Sequence, residues 1–243
     1  MKKILLATTC LFTTSLFAQF DQFKKAVSKP LSSVQNILNP KKDSLSTNDV
    51  VSGLKEALSV GINKGTKQLS AADGFFKDAA IKILMPPEAT KVEESLRKVG
   101  MGSQVDAAIL NMNRAAEDAC KTASPIFVNA IKNMTFADAW NILRGSDNAA
   151  TSYLQKQTTT ELTNQFRPII DQALAKIDAT KHWNTLFTNY NKFSFNKVNP
   201  DLAGYVTEKA LSGVFYQLAI EETKIRKDPA ARTTDILRSV FGK

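Results

Sequence analysis

Apolar and small side chains recur at intervals of three and four along almost the whole chain. From Ser103 to Met134 the positions Val105, Ile109, Met112, Ala116, Ala119, Ala123, Ile126, Ala130 and Met134 fall on one side of a helix, the period by which an amphipathic helix buries one face. No stretch alternates with period two between turn residues, so no strand is predicted. Helices that bury one stripe need other helices. The expectation is an all-α fold, a single irregular multi-helix bundle of roughly ten helices over residues 46–243.

Local punctuation places the boundaries. Ser46 with Asp49 opens a helix to about Leu69, in which Gly53, Ala57, Gly61 and Gly65 form a ridge of small residues that lets another helix approach closely. Ser70 and Asp73-Gly74 predict a turn, followed by a short helix through Phe75, Phe76, Ile81 and Ile83 that stops at Pro86-Pro87. Pro87 opens a helix closing near Gly100 and Gly102. Pro125 is expected to bend one long helix over 103–134. Thr135 and Asp138 cap a short helix with Trp140, Ile142 and Leu143 that ends at Gly145, and Ser146 or Asp147 caps the next, through Tyr153 and Leu154. Separate helices are predicted over Thr158 to Phe166, Pro168 to Ile177 and Ala179 to about Phe193. Asn199-Pro200 opens another to Arg226, and Asp228-Pro229 a terminal one ending at Phe241.

The N-terminus reads as an address. Lys2 and Lys3 precede an apolar run from Ile4 to Phe17, too short to stay in a bilayer, and Ala18 offers a small residue at the cut, so residues 1–18 are a predicted signal peptide. The mature chain is then periplasmic or secreted, starting near Gln19. A lipoprotein reading on Cys10 is weaker, because Thr9 stands where a small lipobox residue belongs and the run before it is short. Residues 19–45 form a basic amphipathic segment: Phe20, Phe23, Val27, Leu31, Val34 and Leu38 line one side, and Lys24, Lys25 and Lys29 lie off it. It could lie on a membrane or dock on the domain behind it; docking is favoured. No apolar run long enough for a transmembrane helix follows the signal.

The formal charge of +9 is dispersed along the chain. Outside the cytoplasm it points to solubility, or to an envelope component, an anionic lipid or an acidic protein partner, and away from nucleic acid. Once Cys10 leaves with the signal, Cys120 is the only cysteine. Stability then has to come from an apolar core, and Cys120, among alanines, reads as a buried inert thiol.

Most catalytic chemistry has no residues to run on. His182 is the only histidine, there is no CxxC, no phosphate-cradling glycine loop and no G-x-S-x-G elbow, and no cofactor or metal is expected. The densest polar groupings are Arg114 with Glu117 on one helix face and the stretch around Arg144, Asp147, Thr151 and Tyr153. These six residues are the candidate binding cluster, and all but Arg144 are expected to converge because buried polar groups need partners. A non-catalytic binding or interaction module is the favoured reading. The alternative is a hydrolase or transferase in which Glu117 and Asp147 act as an acid and base pair while Arg114 or Arg144 holds a substrate anion. Carboxylates buried side by side would support that alternative, and carboxylates paired to arginine would support architecture.

Beyond these patterns, the run Leu69-Ser70, Asp73-Gly74-Phe75-Phe76, Ile81-Lys82-Ile83 and Pro86, then Met112 to Glu117, then Ile142-Leu143, Gly145 and Ala149-Ala150-Thr151 with Tyr153 resembles a bacterial family. So does the C-terminal series Ala210-Leu211, Gly213, Phe215, Glu221-Glu222, Ile225-Arg226, Asp228-Pro229, Arg232-Thr233 and Val240-Phe241. It is a family of exported helical proteins with domain of unknown function 4197. The resemblance implies an exported, periplasmic helical protein. It brings no activity, ligand or catalytic residue to carry over.

Overall fold

The period of three and four becomes helix over most of the described residues, and among them there is no strand. The structure, a computed structural model, describes residues 47–177 and 199–228, together with 183–184, 188, 191–192 and 238. The signal peptide, Cys10, the amphipathic segment, the Ser46 cap, His182, most of the helix expected over 179–193 and nearly all of the terminal helix lie outside them. All described residues belong to one unit, Leu45–Lys243.

That unit holds α1 (Thr47–Leu69), a 3-10 turn (Pro87–Ala89), α2 (Thr90–Lys98), α3 (Gly102–Cys120), α4 (Ala123–Lys132), α5 (Phe136–Arg144), α6 (Ala149–Ala175) and α7 (Leu202–Lys227). The long helices carry the core: α6 packs on α3, α4 and α7, and α1 packs on α7 and α4. Phe75, Phe127, Phe166, Leu162 and Ile170 are fully enclosed between them. Phe127 meets Phe215 edge-on with centroids 6.0 Å apart.

Seven helices stand among the described residues; of the roughly ten expected, the one over 179–193 and the terminal one lie largely outside them, and two boundaries differ at prolines. The long helix predicted over 103–134 divides at Lys121 and Thr122, so Pro125 falls in the first turn of α4, where the missing N–H has no helical partner to lose. Conversely, the three helices predicted between Ser146 and Ile177 are one. Pro168 sits inside α6 on its exposed side, and the helix runs on through it. The short helix predicted through Phe75 and Ile83 is absent: residues 71–81 form successive turns and 82–86 an irregular strap. Asp73 takes a φ of 69° there, a left-handed turn that stops helix propagation.

Other boundaries follow local chemistry. Thr135 and Asp138 form the reciprocal capping box of α5, and Gly145 ends that helix. At α7 the cap is Asp201, whose carboxylate accepts from the Gly204 N–H at 2.9 Å. Asn199, expected in that role, instead accepts from the Asp201 N–H.

The small-residue ridge of α1 faces α7. A Cβ on Gly61 would lie 3.3 Å from Ile225 Cδ1, and one on Gly65 would lie 3.5 Å from Gln217 and Leu218. Two helices therefore approach closely along this seam.

Candidate functional site

The candidate residues divide into two separate carboxylate clamps. In the first, α3 presents Asn113 and Glu117, one turn apart, to the strap between α1 and α2. Glu117 Oε1 accepts from the backbone N–H groups of Phe75 and Phe76 at 3.1 and 3.3 Å. Its Oε2 accepts from Arg114 at 2.6 Å, and Arg114 also donates to Asp73 at 2.6 Å. Asn113, fully buried, accepts from the Ile83 N–H and donates to the Ile83 carbonyl, both at 2.8 Å. Backbone groups that a helix would have used are thereby bonded to α3, which is why this strap needs no regular structure. Hydrogen bonds from Lys77 and then Arg114 hold the Asp73 carboxyl below its ordinary value of 3.8. Glu117 first and Asp73 second raise the Arg114 guanidinium.

From the other side the strap is held by α7. A Cβ on Gly213 would come within 2.5 Å of the Phe75 ring, so glycine in mid-helix opens the slot that the buried phenylalanine fills. Lys82 lies over the Phe76 ring at 4.0 Å.

The second clamp is centred on Glu222 of α7. Its oxygens accept from the Ala150 N–H at 2.9 Å, the Thr151 N–H at 2.8 Å and the Thr151 hydroxyl at 2.8 Å. Arg226 donates to the same carboxylate at 2.8 Å and to the Ile142 carbonyl at the end of α5. Glu222 thus caps the N-terminus of α6 from another helix, where a negative charge suits the helix dipole. Neither Ser146 nor Asp147 performs this task, and Asn148 stands at the N-cap with its side chain accepting from the Ser146 hydroxyl rather than from the helix backbone.

Arg114 and Glu117 therefore stand together, Thr151 belongs to the Glu222 clamp, and the two networks have no partner in common among the described residues. Asp147 pairs with Lys227 at 2.5 Å on the surface. Arg144 lies over Trp140 at 4.4 Å. Tyr153 lines a polar hollow of about 300 Å³ with Asn129, Asn133, Asp138 and Gln157, and burial, then Asp138, raises its phenol. Arg114, Glu117, Asp147, Thr151 and Tyr153 do not join in one network as expected: Glu117 also takes the Phe75 and Phe76 N–H groups, Thr151 joins Glu222, and Asp147 joins Lys227, all partners far away in sequence. Glu117 and Asp147 sit in different clusters, and both Glu117 oxygens are engaged. That arrangement offers an acid and base pair no shared site.

Sequence reasoning passed over Asn113, Arg226 and the Glu222 cap. It also passed over an open cleft of about 460 Å³ between the strap and α7. Ile81, Ile83 and Gly213 contribute to its lining, with Leu84, Met85, Tyr205 and Tyr216 and the lysines Lys82 and Lys209. The Tyr205 hydroxyl donates to the Leu84 carbonyl at 3.0 Å and fixes the strap across it. Burial, then Glu88 and Glu208, raises the Tyr205 phenol. Among the described residues no group of three His, Cys, Asp or Glu side chains is arranged to hold a metal ion, and no helix is long and apolar enough to cross a membrane.

Residues 44–242 match the model of a family described as protein of unknown function (DUF4197). The chain belongs to that family. The match includes both clamps and the cleft. No curated protein and no solved structure matches the chain.

Proposed function

We propose that this member of the DUF4197 family is an exported, non-catalytic binding module that engages an envelope component, a lipid or a protein partner through the cleft between the strap and α7. One observation carries the reading. Leu84 and Tyr216 are 55% and 46% exposed, yet they share a single concavity with Tyr205 and Lys209. Large apolar and aromatic groups held at the surface by a rigid frame mark interaction sites. The frame is rigid because the strap is fixed on one side by Asn113 and Glu117 and on the other by Phe75 in the Gly213 slot. Export is supported by the Lys2-Lys3 start and apolar run, and fractionation of expressing cells should find a form starting near Gln19 outside the cytoplasm.

The cleft is tested by cosedimentation of the purified chain with isolated cell envelopes. The wild type should sediment, and Leu84→Asp combined with Tyr216→Ser should weaken the association about tenfold or more while leaving the melting temperature close to wild type. Equal sedimentation of the two proteins, or none by either, contradicts the proposal.

A further inference from the structure

The outward side of α5 carries two aromatic rings and an arginine. Phe136, Ala137, Asn141 and Arg144 are exposed and Trp140 is half-buried, while Ala139 and Ile142 point into the core. Phe136, Trp140 and Arg144 follow one another at intervals of four and are stacked in that order. The two rings have centroids 6.0 Å apart and planes 16° apart, and the guanidinium covers the indole at 4.4 Å. Phe136 is 49% exposed, so the stack is presented to solvent and not folded under the domain. The helix has one acid, Asp138, and its carboxylate is turned back onto the Thr135 N–H and hydroxyl. Cations flank the stack at both ends: Arg144 at one, and Lys132 and Lys55 at the other, where the Lys55 ammonium is fixed on the carbonyls of Lys132 and Met134. Asp147, beyond Arg144, is already neutralised by Lys227.

We propose that this face of α5 is a docking surface for an anionic phospholipid membrane, with Phe136 and Trp140 entering the interfacial layer and Arg144 meeting a headgroup phosphate. The inference is independent of the strap cleft and goes beyond it. Tryptophan and phenylalanine beside arginine is the side-chain set that partitions at the lipid–water boundary, where the rings leave water and the guanidinium stays with phosphate. Charge selects the occupant: a face with cations at both ends and its single acid internally bonded matches a negatively charged surface. A flat stack also suits a plane better than it suits a ligand that must be enclosed.

The test uses the chain's own probes, since it contains two tryptophans, Trp140 and Trp183, and Trp183 is 7% exposed. In the full exported chain carrying Trp183→Phe, Trp140 emission is followed during titration with vesicles of phosphatidylglycerol and phosphatidylethanolamine. A blue shift, with quenching by brominated acyl chains, is expected. Arg144→Gln should weaken partitioning about fivefold, and Phe136→Ala about tenfold. Because no tryptophan lies before Trp140, vesicle binding through the N-terminal amphipathic segment alone would leave Trp140 emission unchanged, and that outcome overturns the proposal. So does a shift of equal size with purely zwitterionic vesicles, or a Trp140 already shielded without lipid in a concentration-dependent dimer. Should Trp183→Phe fail to fold, fluorine NMR of the wild type labelled with 5-fluorotryptophan resolves the two indoles and reads the same outcomes.

Discussion

At the scale of single residues, what reads as chemistry in the sequence is connection in the fold. Glu222 receives three hydrogen bonds from the start of α6 and sits against an arginine whose side chain is only 11% exposed. Glu222→Gln removes the carboxylate charge from beside that guanidinium, and a loss of about 3–5 kcal/mol is expected from chemical denaturation. Cys120 is fully buried in the core, and burial, then Glu117, pushes its thiol far above the ordinary value of 9.0. It should therefore resist a thiol-specific reagent in the native protein and react fully once denaturant is added. A single polar residue seldom announces which of these roles it has. Arg114 and Glu117 were legible as a pair because they are three apart on one helix, but Asp73 and the strap N–H groups that complete the clamp lie some forty positions away in sequence.

At the scale of elements, the helices that were read correctly are those whose ends are written locally. The Thr135–Asp138 box and Gly145 fix α5 within ten residues of sequence, and α5 appears as expected. The start of α6 has no such local signal because its cap arrives from Glu222, and the strap departs from its helical pattern because its competing partners, Asn113 and Glu117, belong to α3. Tertiary hydrogen bonds outweighed local propensity in both places. The α1–α7 seam gives a graded test. Gly65→Ala places its Cβ in ordinary contact and should leave stability unchanged or raise it by up to about 1 kcal/mol through helix propensity. Gly61→Leu should cost about 1–3 kcal/mol by forcing α7 outwards. The slot under Phe75 is less forgiving: Gly213→Ala should destabilise by about 1–3 kcal/mol despite the same propensity gain, because the enclosed ring cannot move aside. Thermal melts of the three variants against wild type measure the ordering.

For the whole molecule, the fold class was open to sequence reasoning because period and composition are properties of the entire chain; the cleft was not, because concavity comes from the packing of the strap on α7. Acid should expose how the elements are tied. Burial raises the Glu221 carboxyl, but hydrogen bonds from Lys224 and Lys64 outweigh it and hold the group below 4.5. A carboxyl lowered in the folded state contributes stability that is complete above the unfolded value and is lost as pH falls through the folded one. Melting temperature should hold above about pH 5 and decline below 4.5, with Glu221→Gln flattening that decline. The account as a whole rests on Glu117 being a strut of the frame that supports a binding surface. Denaturation of Glu117→Gln, run beside its cosedimentation with envelopes, tests this most directly. The predicted result is a loss of about 1–3 kcal/mol with envelope association retained wherever the protein is folded. A variant as stable as wild type that no longer associates would contradict it and make Glu117 part of a site.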